Sequence, residues 1–258
     1  MKRSILNSMG LVGLLVITSG AQAAVATIDP NDVSMNVQIG NDTFNNVALN
    51  WTASVDPITQ QTIYTLIGDP IVLTSADGST FTIGGATFDP DPLLLFSASA
   101  TNNGNNPLVY SFSFNTPLVP ALNGNISSHA ELGVTLTDGL NDGAAVRPLI
   151  GQGFMLKSYD LYGNGDSVSK NVDVGTAYSI FSSTGGTSYS ADSSLVCAQA
   201  CVTMSSTLQF TLTGHDAVGL SGKVTQSPVP IPAAGVLLLS GLGLLSRATR
   251  RKLVTKLA

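Results

Sequence analysis

His129 and His215 are the only imidazoles in the chain, and each stands beside oxygen chemistry. His129 follows Ser127 and Ser128, and His215 precedes Asp216. A hydroxyl, an imidazole and a carboxylate are the parts of a Ser/His/Asp relay, in which the ring takes the hydroxyl proton as the oxygen attacks an acyl carbon. The Gly-x-Ser-x-Gly turn that aims such a serine is absent, and serine is frequent enough here to fall near a histidine without purpose. Glycoside hydrolysis would need two facing carboxylates, which an Asp-rich chain does not distinguish from solvated turns. No catalytic residue is assigned, and the chain is read as a non-enzyme.

Two segments carry oxygen ligands at spacings that suit a hard cation. Asp160-Leu161-Tyr162-Gly163-Asn164-Gly165-Asp166 bends Asp160, Asn164 and Asp166 around glycines, and Asp89 with Asp91 forms a carboxylate pair between prolines. Tyr162 occupies a ligand position of the EF-hand loop and no Glu closes it. These residues are weak calcium candidates, and no other cofactor is expected. Trp51, Tyr64, Tyr159, Tyr162 and Tyr189 are the aromatic rings that could lie against a sugar face. Trp51 alternates with Leu49, however, which gives it core parity.

The elements that must position these groups are strands. Val33-Ser34-Met35-Asn36-Val37-Gln38-Ile39 alternates apolar and polar residues, so one face can be buried and the other wetted. The same period recurs at Phe81–Ile83, Leu108–Phe114, Leu132–Thr137 and Leu208–Thr213. Asp77-Gly78, Asn103-Gly104, Asn123-Gly124, Asp138-Gly139, Asp142-Gly143 and Asn164-Gly165 are turn dipeptides, since Gly, Asn and Asp accept the positive φ of tight hairpins. No helical period is sustained between Ala24 and Lys223. The polar run Ser182–Ser190 reads either as a long loop or as an edge strand without an apolar signature. Many short strands with frequent turns predict a single all-β antiparallel domain, a sandwich or jelly roll.

Both ends read as processing segments. Lys2 and Arg3 precede the apolar run Met9–Ile17 and the small-residue exit Ala21-Gln22-Ala23, the layout of a secretory signal cut after Ala23 by signal peptidase. That run is about half of the ~20 residues that span a bilayer. Two cysteines in an exported chain, Cys197 and Cys201, most simply form one disulfide across a short loop, a constraint of about 2 kcal/mol. Between Ala24 and Gln226 four basic residues face sixteen acidic ones, a balance of −12, which repels nucleic acid. Past Gly222 the composition changes. Ser227-Pro228-Val229-Pro230-Ile231-Pro232 is expected to leave the sheet, because alternate prolines lack donors. An apolar segment from Ala233 to Leu245 follows, then Arg247, Arg250, Arg251 and Lys252. A short hydrophobic helix held by a cytoplasmic basic stop fits that order.

Val229-Pro230-Ile231-Pro232-Ala233, followed by the Leu/Gly-rich segment and Arg250-Arg251-Lys252, resembles the PEP-CTERM class of sorting signals, in its Val-Pro-Leu-Pro-Ala variant. Ile231 replaces the usual Leu, and the chain runs six residues past Lys252. The resemblance implies processing by an exosortase, a multi-pass membrane enzyme with an active-site cysteine. It also implies a Gram-negative host, a transient inner-membrane intermediate, delivery to the cell surface or outside, and association with exopolysaccharide, biofilm or floc. A second pattern, from Phe88-Asp89-Pro90-Asp91-Pro92 through Thr101-Asn102-Asn103 and Tyr110–Pro117 to Leu136-Thr137-Asp138-Gly139, is similar to one found in some proteins bearing this tag, and no activity comes with it. The expected organisation is a signal peptide over 1–23, a β-sandwich over 24–226 and a sorting signal over 227–258. The expected role is that of a non-enzymatic surface or matrix protein. A carbohydrate-binding module is the alternative, and a secreted hydrolase stands behind both.

Overall fold

The structure, a computed structural model, describes Asp29 and residues 32–57, 61–163 and 167–229, with the backbone alone for 167–171. Its strands are β1 (Ser34–Ile39), β2 (Asp42–Phe44), β3 (Trp51–Val55), β4 (Thr62–Leu66), β5 (Ile71–Thr74), β6 (Thr80–Asp89) and β7 (Leu93–Thr101). Then come β8 (Leu108–Thr137), β9 (Ala144–Arg147), β10 (Leu156–Tyr162), β11 (Ser167–Val174), β12 (Tyr178–Ile180), β13 (Thr184–Leu212) and β14 (Ala217–Pro228). All pair antiparallel along the order β11-β10-β13-β8-β14-β7-β6-β4-β3, with β1, β2, β5, β9 and β12 attached at the sides. The described residues contain no α-helix, and no helix among them is long and apolar enough to cross a membrane. Ala21, Ala23, Asn164, Asp166, Pro230, Ile231, Pro232, Ala233, Arg247, Arg250, Arg251 and Lys252 lie outside the described residues, as does the expected apolar helix.

One continuous sheet makes a sandwich because β8 and β13 pass through both of its layers. The first part of β8 pairs with β1 and with the last part of β13, for example Phe112 with Val37 and Leu208. Its last part pairs with β14 and with the first part of β13, for example Leu132 with Gly222 and Tyr189. Even-numbered residues of β8 face the core along nearly its whole length, from Tyr110, Phe112 and Phe114 to Leu132, Val134 and Leu136. In β13 the buried set changes from odd (Leu195, Cys197, Cys201) to even (Met204, Leu208, Phe210, Leu212). Register shifts between Cys197 and Cys201 and between Cys201 and Thr203 absorb the odd residue, since a one-residue slip exchanges the two faces of a strand. The expected Cys197–Cys201 disulfide sits there, with both sulfurs buried and the Cα atoms 5.9 Å apart. The polar stretch from Thr184 to Ser190 is strand, paired with Glu131–Thr137, so the edge-strand reading holds.

Aromatic rings fill the space between layers. Phe112 meets Phe96 at 5.3 Å and Phe81 at 5.7 Å, and Tyr110 stacks on Phe210 at 5.3 Å. Phe96 reaches Phe112 because Gly222, its partner in register on β14, has no side chain there. A Cβ on Gly222 would lie 2.1 Å from the Phe96 ring. The pattern running through Asn102 and Tyr110 also gains a physical account. Buried Asn102 donates to the carbonyls of Asn106, Leu212 and Thr213 and accepts from Gly104 N–H, while Tyr110 Oη donates to Thr101 O at 2.8 Å. These bonds pin the β7–β8 loop to the end of β13.

One boundary is corrected. Ser227 and Pro228 do not leave the sheet: β14 continues to Pro228, opposite Ile126, and Val229 N–H donates to Asn125 O at 2.9 Å. The expected division between residues 226 and 227 therefore falls inside a strand. Proline is tolerated because N–H groups alternate sides. The N–H of Gln226 and the ring nitrogen of Pro228 face the β7 side, where pairing stops at Thr225 with Leu93, so the missing donor at Pro228 leaves no ladder bond unmade. Gly222→Ala is expected to destabilise the domain by about 1–3 kcal/mol through overpacking against Phe96. Urea unfolding of Gly222→Ala alone and with Phe96→Leu measures this; the second change should recover part of the loss.

Candidate functional site

A trough of about 780 Å³ lies on the outer face of the layer containing β14. It crosses six adjacent strands in the order β13-β8-β14-β7-β6-β4, a run of roughly 24 Å at the usual strand spacing. Its floor is made of outward residues in register: Ser190 and Ser188 on β13, Glu131 and Gly133 on β8, Lys223 and Ser221 on β14. Leu95 and Ser97 follow on β7, Thr87 and Gly85 on β6, and Thr65 on β4. Glycines keep the floor low, and hydroxyls line it. At Gly133 a Cβ would come within 2.5 Å of Ser221 Oγ. A second hollow of about 370 Å³ shares Gly133 and Ser221 and extends the trough past Thr135, Gly186 and Gly219.

A ladder of charges borders the trough. His129 and Glu131 are two apart on β8 and share its outer face, with Asp192 opposite His129 on β13 and Lys223 opposite Glu131 on β14. His129 Nδ1 lies 2.8 Å from Asp192 Oδ1 and Nε2 lies 2.9 Å from Glu131 Oε1, while Lys223 Nζ is 3.9 Å from Glu131 Oε1. Both ring nitrogens face carboxylates, so both bonds form only in the imidazolium. The hydrogen bond to Glu131, then that to Asp192, raises the His129 pKa above its ordinary value against a small opposing effect of burial. The same bond, followed by the Lys223 charge, lowers that of Glu131.

The arrangement does not assemble a Ser/His/Asp relay. Glu131 occupies Nε2 of His129, the side a nucleophilic hydroxyl would need, and Ser128 is buried on the opposite face of β8. His215 sits in a turn at φ 59° with Nε2 against Asn105 Oδ1. Its neighbour Asp216 accepts instead from Gly139 N–H and Thr213 Oγ1.

The acidic candidates separate by role. Asp89 and Asp91 lie together as the sequence suggests, with Asp89 Oδ1 accepting from Asp91 N–H at 3.0 Å and Gln61 donating to Asp91. Burial raises the Asp89 pKa, assisted by the charges of Asp91 and Asp56. Asp160 is not a loop ligand. It belongs to β10, points between the layers and is fully buried, because alternation places it on the same face as Leu156 and Ser158. Asp138, Asp142 and Asp216 also converge, but Asp138 organises the turn: its carboxylate accepts from the N–H groups of Leu140, Asn141, Asp142 and Gly143. Its burial would raise its pKa, and those four donors outweigh this and lower it. The aromatic candidates go mostly to the core. Trp51 packs edge-on against Phe88 at 5.0 Å and Phe114 at 5.9 Å, Tyr64 stacks on Phe88 at 4.8 Å, and Tyr162 and Tyr189 pack against the core cluster.

No protein-family model matches the chain, and no curated protein matches it. Among solved structures it is similar to the CBM22-1 xylan-binding domain from Paenibacillus barcinonensis Xyn10C, at 9% identity and a TM-score of 0.27 over 70% of this chain and 88% of that one. It is similar also to the enzymatically active domain of bacteriophage CBA120 tailspike protein 4, at 9% identity and a TM-score of 0.26 over 76% of this chain and 19% of that one. A cyclase from Fischerella sp. TAU gives 9% identity and 0.26 over 72% and 93%. Likenesses this distant assign no function.

The raised His129 pKa stabilises the fold while the ring is charged, so this contribution is present below the unfolded-state pKa and fades as pH rises through the folded value. The lowered Glu131 pKa acts in reverse, fading as pH falls through its folded value. An NMR titration should place the His129 imidazole above the ordinary 6.5, and Asp192→Asn should move it down. An unchanged midpoint in that variant would show that the ladder does not form.

Proposed function

We propose that this is an exported, non-enzymatic surface or matrix protein, whose outer-face trough holds an extended, uncharged polysaccharide and whose C-terminal Pro motif is processed by an exosortase. The trough carries the reading: a concavity about 24 Å long, floored by hydroxyls and glycines, suits a chain that presents hydroxyls on every unit. Ser97, Ser188, Ser190, Ser221 and Thr87 can each donate and accept. Leu95, 38% exposed on the floor, offers an apolar contact for ring C–H groups. The acidic balance between Ala24 and Gln226 disfavours an anionic polymer by repulsion. Small side chains without a stacking platform give modest affinity per chain, which many copies on one surface would multiply.

Export and processing rest on the signal-like N-terminus and on the Val229–Ala233 motif with its apolar segment and the basic stop at Arg247, Arg250, Arg251 and Lys252. Signal peptidase and an exosortase would be the processing partners, with the inner membrane a transient station.

Two experiments test the two halves separately. Retention of the exported protein on the host's own neutral polysaccharide should fall at least tenfold in Ser97→Trp, which fills the trough, and stay unchanged in Ser113→Trp on the opposite layer. No retention of the wild type would end the binding reading. Intact mass should show the wild type cut within the Pro motif and a Pro230→Ala/Pro232→Ala variant uncut; a wild type that keeps its full C-terminus would end the processing reading.

A further inference from the structure

The space between the layers holds a second polar centre, away from the trough. Asp160 and Ser158 point inward from β10, and Ser206 stands opposite Ser158 on β13. From the facing layer Gln226 of β14 crosses to Asp160, its Nε2 donating to Asp160 Oδ1 at 2.8 Å. Ser128 of β8 is the register partner of Gln226. Because Val229 N–H bonds Asn125 O, alternation makes Gln226 and Ser128 a non-hydrogen-bonded pair, whose side chains stand closest. All five side chains are at least nine-tenths buried. Ser128 Oγ, Ser158 Oγ, Ser206 Oγ and Gln226 Oε1 have no hydrogen-bond partner among the described residues. Folded proteins seldom leave buried polar atoms unmet, and four of them, on the strand that carries Asp160 and on β8, β13 and β14, call for an occupant.

We propose that this interlayer polar centre binds a hard cation, calcium being the ion its donors suit best. Every donor is oxygen: one carboxylate, one amide carbonyl and three hydroxyls, a set that favours calcium over softer metals and leaves room for water to complete six to eight ligands. The nearby sulfurs are not ligands. Cys197 Sγ lies 4.0 Å from Asp160 Oδ2, but both cysteines are bound in the disulfide and offer no thiolate. Calcium would bridge β10 and β13 of one layer to β8 and β14 of the other, next to the corner that the disulfide closes. A site assembled from both layers exists only in the folded chain, so the ion's binding adds to folding stability.

Thermal unfolding of the full-length protein in chelator and in calcium tests this. At hundredfold saturation calcium should raise Tm by about 5–10 °C. Asp160→Asn should abolish the rise, and Ser158→Ala/Ser206→Ala should weaken calcium binding at least tenfold while keeping the fold. Equal Tm in chelator and calcium would mean that no calcium binds at this centre and would overturn the proposal. So would an undiminished rise in the double-serine variant, which decides the matter should Asp160→Asn fail to fold.

Discussion

The fold depends on two strands that belong to both layers at once. A sandwich ordinarily closes its core by packing two separate sheets, whereas here β8 and β13 remain paired with each other through the corner, so the layers cannot slide without breaking one continuous ladder. The inward row of β8 makes this possible. Tyr110, Phe112 and Phe114 face one half of the core, and Ile126, Ala130, Leu132, Val134 and Leu136 face the other, with the irregular register near Cys197 and Cys201 confined between them. The disulfide closes the three-residue bulge where the buried row of β13 changes from odd to even positions.

Tight packing on the inside sets what the outside can offer. Where Gly222 admits the Phe96 ring inward, the neighbouring outward positions are Ser221 and Lys223, and the small residues of β6, β7, β8 and β13 leave the same face low. With the larger aromatic side chains largely drawn into the core, the outer face is left to hydroxyls, glycines and a few charges. Lys223 is one of only four basic residues between Ala24 and Gln226, and Glu131 is the only glutamate in the chain. Their meeting at the rim is a matter of register between β8 and β14. Polar groups that face inward, Asp160 and Gln226 among them, tie the two layers at the end away from the Phe112 cluster.

Sequence and structure agree where a property is local. Period-two alternation in β1 and in parts of β6, β8 and β13 specified strands because the pleat sends successive side chains to opposite faces whatever lies beyond. Asp138-Gly139 and Asn103-Gly104 marked turns for a similar reason, and Cys197 and Cys201 are close enough in the chain that pairing needs little else. The trough and the charge ladder were not legible. His129 and Glu131 are neighbours in sequence, but Asp192 and Lys223 reach them only through pairings dozens of residues apart. Proline at 228 misled for a complementary reason: whether a missing N–H matters depends on which side of β14 has a neighbour.

By itself the sequence determined an all-β, acidic chain with strand faces marked by alternation, because alternation, turn preference and charge are properties of adjacent residues. Tertiary structure decided which faces meet. It turned Asp160 from a loop ligand into a buried carboxylate, gathered hydroxyls from five strands into one trough, and carried β14 as far as Pro228. Each of these follows from strand register, and register is set by which apolar rows share a core, a long-range choice that no short window of residues contains.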